Sequence, residues 1–345
     1  MADFKKLSLA ELASAIRENT DSLVLMHRHP DGDAIGSGFA LRLLLQAMGC
    51  RVYCACEDEL PERLAFLADE REAAEGIRYD RLPKDFAPLQ IIAVDTASPG
   101  QAGALYPLYQ GKISLMIDHH ERGEMYADGW VEGGRAATGE MIFELSRELF
   151  RQGRISSVPL RVDMLLYAAI SSDTGCFRYS NVSPDTHRIA AELLKSAACS
   201  RGFDPADVNH RLFEVKSPKL LLAEKIGVER LQTFEDGRVG IVTFPLSVKK
   251  EHGLTDEHLE TLVDIPRALP GVEVAVAIRE VTDGAYRVSM RSCSDIDVSL
   301  LCASFGGGGH VKAAGCSITS SQGMDDVVSQ VLCAIRNEGT RGKTS

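Results

Sequence analysis

No apolar stretch in the sequence approaches the roughly 18 residues that a membrane span requires. The short run from Leu23 to Met26 follows a charged, helix-like segment, so no secretory leader is expected either, and the chain reads as cytoplasmic. Positive charge is also scarce. The 38 Lys and Arg stand against 49 Asp and Glu, a formal net charge of -11, so the surface as a whole repels long nucleic acid. Any nucleic-acid partner is expected to be short or held by a local basic pocket. Aromatic residues are only 6% of the chain, and the single Trp130 and the tyrosines are not spaced as a base-stacking platform; packing is their expected role. There is no CxxC pair among the nine cysteines (50, 54, 56, 176, 199, 293, 302, 316 and 333), and their number is odd. That pattern reads as reduced, mostly buried thiols, not a disulfide framework. Cys54 and Cys56 share a strand face but are poorly placed to bond each other. No internal repeat or low-complexity tract is present.

What is present is an ordinary mixture, 45% hydrophobic and 25% charged over 345 residues, enough for two cores. Ser8-Leu-Ala-Glu11 fits a capping box and opens a helix expected to run to about Glu18. Three short apolar runs follow a common plan: SLVLM ends at His27, QIIAV at Asp95 and ISLMI at Asp118. Continuous apolar runs of this length suit parallel strands buried on both faces, with AIGSGFALRLLLQAMG and the segment around ERLAFLADEREAAEG as helical crossovers. Further helices are expected over 138–151, over VDMLLYAAISSDTG ending at Asp173, and over 184–198, with a helical stretch from about 203 to 222. Beyond it, LQTFEDGRVGIVTF and VEVAVAIREVTDGAYRVSMRS each alternate around an Asp-Gly turn, which signals hairpins. A helix over 295–304 then runs into GGGGHVKAAG, and a last helix over 325–336 precedes a polar tail. The expectation is an α/β protein: a mainly parallel-sheet domain over 1–198, a helical connector over 199–224, and a smaller mixed-sheet α/β domain over 225–340, with the active-site cleft between the domains.

In parallel sheets, sites form at the carboxyl ends of the strands, so His27, Asp31, Asp33, Asp95, Asp118, His119, His120 and Asp173 are expected to converge on one edge. Carboxylates so crowded repel and raise one another's pKa unless a cation neutralises them. Oxygen and imidazole donors without clustered thiolates favour an ion such as manganese over structural zinc. This many donors suit two ions, about 3.5–4 Å apart, which together activate water and clamp the oxygens of a phosphoryl centre. The chemistry that follows is phosphoester hydrolysis.

HRHPDGDAIGSG, AVDTA, IDHH and SSDTGCFRYSN, in that order, resemble the motifs of the DHH phosphoesterase family. VSMRS and FGGGGHVKAAG resemble its associated C-terminal domain, and length and domain pairing look most like the branch of nanoRNases (oligoribonucleases) and pAp phosphatases. The resemblance spans about residues 20 to 320. It implies that His27 and Asp31 hold one metal, that Asp33, His119 and Asp173 hold the other, and that Asp95 bridges the two. Asp31 and Asp33 would diverge from a locally extended loop shaped by Pro30 and Gly32. Asp118 is expected to orient an imidazole. In an extended loop His120 points away from His119, which makes it a phosphate contact. His29 occupies a position that varies in the family and is often Asn; a packing or solvent-side role is expected for it.

The glycines at 306–309 are expected to form a tight loop with close backbone approach, in which Gly308 and Gly309 offer N–H groups to an anion. His310 would donate to a terminal phosphate. Arg291, with Ser292 beside it at the end of a strand, can grip a phosphate bidentately. Arg178 is a further candidate for the cleft. Thr138 and Gly139, in AATGE, resemble a family segment near the site, but helix capping is their first reading. The function implied is a manganese-dependent hydrolase, with Mg2+ or Co2+ as substitutes, acting on short RNA or DNA oligonucleotides and on 3′,5′-bisphosphorylated adenosine. No long duplex and no membrane partner are expected, and the resemblance implies a homodimer. A cyclic or linear dinucleotide phosphodiesterase is the alternative with the same chemistry. A non-catalytic nucleotide- or RNA-binding module is the alternative of another class, and the complete ligand set in the first half argues against it.

Overall fold

The three apolar runs that end on ligating residues lie side by side. In the computed structural model, which describes residues 4–121, 123–199 and 203–341, the strands are β1 (Asp21–Met26), β2 (Arg51–Ala55), β3 (Gln90–Val94), β4 (Leu115–Asp118) and β5 (Gly129–Val131). They form one parallel sheet in the order β2-β1-β3-β4-β5. The chain leaves β1 toward β2 and returns on the other side as β3, so the β1/β3 junction is the topological switch point. In sheets of this order, ligands sit outside the carboxyl ends of the strands at that junction. His27 and Asp95 each follow the last residue of one of those two strands.

Both faces of the sheet are covered, as the unbroken apolar runs require. Val24 and Met26 enter one core with Phe39, Leu44 and Leu165, whereas Leu23 and Leu25 enter another with Ala102, Leu105 and Tyr126. The helices of this unit are α1 (Leu9–Ala15), α2 (Gly32–Ala47), α3 (Glu70–Glu75), α4 (Leu105–Tyr109), α5 (Thr138–Arg151), α6 (Leu160–Asp173), α7 (Pro184–Cys199) and α8 (Pro205–Phe213). The Ser8–Glu11 capping box opens α1, but Ile16 turns to extended backbone and stops the helix short of Glu18. The expected crossover over 62–76 is split into a 3₁₀ turn, Glu62–Leu67, and α3. Asp69 causes the break, because its carboxylate accepts the Glu72 N–H and starts a new helix with its own capping box.

The chain divides into two compact units between Val215 and Lys216. The second holds α9 (Pro218–Glu229), β6 (Leu231–Phe234), β7 (Val239–Phe244), α10 (Leu246–Glu251), α11 (Asp264–Arg267), β8 (Val274–Thr282), β9 (Ala285–Ser292), α12 (Val298–Ala303), β10 (Gly308–His310), β11 (Ala313–Thr319) and α13 (Met324–Arg341). The 203–222 stretch thus contributes α8 to the first unit and the start of α9 to the second. Its mixed sheet runs β10-β11-β9-β8-β7-β6, with β7 and β8 parallel and the other neighbours antiparallel. Both Asp-Gly turns close hairpins, β6–β7 and β8–β9. Val274, Val276 and Ile278 face α12 and α13, while Ala275 and Ala277 face α9 and the 3₁₀ turn Glu257–Val263. The helix expected from Asp295 begins at Val298, because Asp297 caps it by accepting the N–H groups of Ser299 and Leu300. Cys54, Cys56 and Trp130 are buried in packing, and the eight cysteines whose side chains are described are all free thiols. The Cys199 side chain lies outside the described residues. Among the described residues no helix is long and apolar enough to cross a membrane.

Candidate metal centre

The site is assembled from strand ends and helix starts of the first unit. His27 follows β1, Asp95 follows β3, and Asp118, His119 and His120 lie at the end of β4. Asp31 and Asp33 come from the start of α2, and Asp173 is the last residue of α6. Asp95 adopts φ 55°, in the left-handed region that non-glycine residues seldom occupy. His29 does so too, also at φ 55°, a region where Asn and His are enriched. Its backbone N–H and its ring both face Asp58, at 2.8 and 3.3 Å, not the carboxylate cluster.

The structure corrects the expected extended loop at Asp31 and Asp33. Asp31 is the N-cap of α2, and its Oδ1 accepts the N–H groups of Asp33 and Ala34 at 3.0 Å. Asp33 already lies in the first helical turn. The cap geometry, not an extended chain, sends the two carboxylates to different neighbours. His27 Nε2 is 3.8 Å from Asp31 Oδ1 and 3.5 Å from Asp95 Oδ2. His119 Nε2 is 3.3 Å from Asp173 Oδ2, 3.6 Å from Asp95 Oδ1 and 3.9 Å from Asp33 Oδ2. Asp95 therefore turns one oxygen to each group.

The histidines are fixed by their other ring nitrogens. Nδ1 of His27 lies 2.7 Å from the Arg28 carbonyl and Nδ1 of His119 lies 3.0 Å from the Arg135 carbonyl. A carbonyl only accepts, so each Nδ1 carries a proton, and Nε2 is the nitrogen left facing the carboxylates, free to ligate a cation that displaces its proton. His120 Nδ1 is 2.8 Å from Asp118 Oδ1, the orienting contact expected of Asp118. That contact fixes the His120 ring beside Asp118. It stands 4.6 Å from the His119 ring at a 53° tilt, so the two rings pack together and do not point apart.

Thr138 and Gly139 do more than begin a helix. Ala137 is the N-cap of α5 and supplies no side-chain cap. The Thr138 and Gly139 N–H groups instead donate to Asp33, at 2.6 and 2.9 Å, and the Thr138 hydroxyl donates to Asp95 Oδ1 at 2.9 Å. Ser37, one turn along α2, gives Asp33 a further donor at 2.9 Å. Asn181 donates to the carbonyls of both Ala136 and Asp173. Ser37 is recoverable from sequence by its i,i+4 spacing, and Asn181 stands at the end of the SSDTGCFRYSN motif; Arg135 carries no local signal.

Electrostatics show how costly the bare cluster is. Burial, then the charges of Asp95 and Asp173, push Asp33 well above the ordinary carboxylate range. Burial and the neighbouring acids Asp31 and Asp95 lift Asp173 to about 6, against the pull of His119. Burial opposes charge on Asp95 as well, yet His27, His119 and His120 together hold it below its usual value. For His27 and His119 burial is likewise the largest effect, and the facing carboxylates outweigh it and raise both rings well above the ordinary histidine range. Donors each ~2.1 Å from one cation stand about 3–3.5 Å apart, close to the 3.3 and 3.5 Å separations of His119–Asp173 and His27–Asp95. His27, Asp31 and Asp95 bring donor atoms within 4.8 Å of one another; so do Asp33, His119 and Asp173, and so do Asp95, His119 and His120. The oxygen and nitrogen donor set, its preset tautomers and its spacing fit divalent cations.

The remaining candidates lie elsewhere. Arg178, in the α6–α7 connection, donates to the Gly175 carbonyl at 2.5 Å and lies over the Phe213 ring at 5.9 Å. Arg291, Ser292, Gly308 and Gly309 belong to the second unit. There His310, Ala313 and Arg291 form one row across β10, β11 and β9. The glycine segment is an edge strand as well as a tight approach: a Cβ on Gly309, at φ +143°, would stand 2.5 Å from the Ala313 carbonyl. Ser292 spends its hydroxyl on the Ser294 carbonyl at 2.8 Å. The His310 side chain lies outside the described residues.

Residues 22–170 match the DHH family, N-terminal domain, and residues 239–337 match the DHHA1 domain. The chain is 30% identical over 320 residues to the bifunctional oligoribonuclease and PAP phosphatase NrnA of Thermus thermophilus, covering 92% of this chain and 90% of that one. It is 27% identical over 334 residues to the cyclic-di-AMP phosphodiesterase GdpP of Geobacillus thermodenitrificans, covering 89% of this chain and 46% of that one. Among solved structures, an exopolyphosphatase-related protein from Bacteroides fragilis shares the fold at a TM-score of 0.80 and 22% identity, covering 92% of each chain. With both domain models matched in order and nine-tenths of a 30%-identical relative covered, this chain belongs to the DHH phosphoesterase family and carries that family's DHHA1 domain in its second unit.

Proposed function

We propose that this hydrolase degrades short oligonucleotides to mononucleotides and removes a phosphate from 3′,5′-bisphosphorylated adenosine, with two manganese ions as cofactor. The observation that carries the reading is Asp95, whose two oxygens face the His27–Asp31 group and the His119–Asp33–Asp173 group separately. Bound at those two groups, divalent cations supply Lewis acidity to the phosphoryl oxygens and to the attacking water. Manganese suits mixed carboxylate and imidazole donors, and Mg2+ or Co2+ can stand in. The protein's own part is positioning. Asp118 holds Nδ1 of His120, and we assign its Nε2 to a phosphoryl oxygen.

Arg291, together with the backbone of Gly308 and Gly309 and with His310, takes the terminal phosphate of the substrate. Affinity then comes from a few placed contacts, which reconciles a net charge of -11 with an anionic substrate. The eight cysteines whose side chains are described are free thiols, which suits a cytoplasmic enzyme. The deciding experiment is a manganese-supplemented panel of RNA from dinucleotide to 24-mer, pAp, cyclic dinucleotides and polyphosphate, compared by kcat/KM. Highest values for the shortest RNAs and pAp are expected. A preference for cyclic dinucleotides would transfer the assignment to that class, and no turnover of any substrate would leave only a binding module.

A further inference from the structure

His119 is oriented by a main-chain carbonyl, and the residue that owns this carbonyl has its own side chain clamped. Arg135 accepts the His119 Nδ1–H at 3.0 Å through its backbone oxygen. Its guanidinium donates from Nε to Glu132 Oε2 at 2.7 Å, and from Nη1 and Nη2 to the two oxygens of Glu144 at 2.8 and 2.9 Å. Glu144 is on α5. Glu132 is fixed to the end of β4, since its N–H donates to the Asp118 carbonyl at 3.1 Å. The arginine thus ties the strand end bearing His119 to the helix whose first amides hold Asp33. Immediately before it stand Gly133 and Gly134, the latter at φ +95°. Such residues lose the most backbone freedom on ordering. A planar, bidentate fork restricts what two glycines leave loose.

Apart from the Thr138 hydroxyl, which donates to the shared Asp95, everything this connection anchors belongs to one half of the centre. The Arg135 carbonyl orients His119, and the Thr138 and Gly139 N–H groups bind Asp33. The Ala136 carbonyl shares the Asn181 amide with the Asp173 carbonyl. The other half is anchored locally: His27 by the Arg28 carbonyl, and Asp31 by the helix it caps. We propose that Arg135 is a positioning residue that presets the Asp33–His119–Asp173 half of the metal centre and leaves the His27–Asp31 half alone. The inference rests on the two-ion reading of the site.

The test is calorimetric titration of the metal-free full chain with Mn2+, alongside thermal unfolding in EDTA and steady-state kinetics on pAp. The wild type should take up two ions. Arg135→Ala should weaken one of them by about 10–100-fold, the usual cost of losing a partner that orients a ligand, while the other keeps its affinity. kcat should fall with KM little changed. Arg135→Lys, which has charge but no fork, should not restore the weakened ion. Glu144→Gln keeps the volume, breaks the fork and should weaken the same ion, so the test stands if Arg135→Ala fails to fold. Two ions bound with wild-type affinity in both variants would overturn the inference and leave the two-ion reading intact. Equal weakening of both ions, in step with a lower metal-free melting temperature, would reduce Arg135 to a general stabiliser and also overturn it. A wild type that binds no ion would overturn the two-ion reading and this inference with it.

Discussion

Thr138 and Asp95, 43 residues apart, meet through a 2.9 Å hydrogen bond from the threonine hydroxyl to Oδ1 of the carboxylate. The same oxygen faces His119, while Oδ2 faces His27. Asp95 has a left-handed backbone conformation at the strand end, and the threonine hydroxyl holds its carboxylate in this orientation. The start of α5 therefore acts on the centre twice, once through this hydroxyl and once through the two amides that bind Asp33. A helix start whose N–H groups point at a carboxylate uses its positive end for that purpose.

Thr138→Val keeps the shape of a fully buried side chain and removes only the donor. Metal affinity or kcat should fall about 10–100-fold, as for other groups that orient a ligand. Thr138→Ser should recover most of that loss. Manganese-supported kcat for the three proteins checks the point, and a serine variant as impaired as valine would show that methyl packing, not the hydroxyl, is what matters.

Asp95→Asn removes the shared carboxylate and preserves volume. Turnover should drop by at least on the order of 10²–10³-fold, the scale seen when one preorganised stabilising group is lost. The metal-free protein should still fold but melt lower than wild type at neutral pH, because the amide loses the charged contacts to His27, His119 and His120 that hold the Asp95 carboxyl below its usual value. Near-normal manganese-supported activity would sink the shared-ligand assignment.

The strand ends of this centre were legible in sequence because parallel strands advertise themselves as unbroken apolar runs, and a ligating residue at the end of each is conspicuous. Helix α5 was legible at both ends and α6 at its end, Asp173, though it starts at Leu160, two residues before the expected stretch; each has an uninterrupted amphipathic or apolar pattern with a clear stop. Where one side chain decided the local structure, the pattern misled. Asp69 and Asp297 start helices later than periodicity suggests, and Asp31 does so earlier, drawing Asp33 into α2. Among the contacts that were not legible are those made by main-chain atoms. A carbonyl of Arg135 or an amide of Thr138 has no identity in the sequence, so the orientation of His119 and Asp33 is visible only once the chain is folded.

Arg291→Ala should separate two kinds of substrate. A hydrogen bond to a charged group contributes about 1.5–3 kcal/mol, so KM for pAp and for 5′- or 3′-phosphorylated dinucleotides should rise about 10–150-fold with kcat nearly unchanged, the signature of lost uniform binding. KM for a generic aryl phosphodiester, which has no terminal phosphate to grip, should hardly move. Equal losses on both substrates would argue against a phosphate grip on β9.

Metal removal can be followed through the only tryptophan. Trp130 is 2% exposed, lies in β5 and belongs to the core of the first unit, so its fluorescence reports the unfolding of that unit alone. A ligand that binds only the native state at about 100 times its Kd adds about 2.7 kcal/mol per site. For a unit of this size each kcal/mol moves the midpoint by about 2–4 °C. Saturating Mn2+ should therefore raise the Trp130 transition by about 5–10 °C per ion over that in chelator, with Asp95→Asn showing a smaller rise. The described donors of the centre all belong to the first unit, so an unfolding signal from the α13 helix of the second should respond much less if the units melt separately. A Trp130 midpoint that is the same in chelator and in saturating Mn2+, Mg2+ and Co2+ would mean that the carboxylate cluster of the native first unit holds no divalent ion.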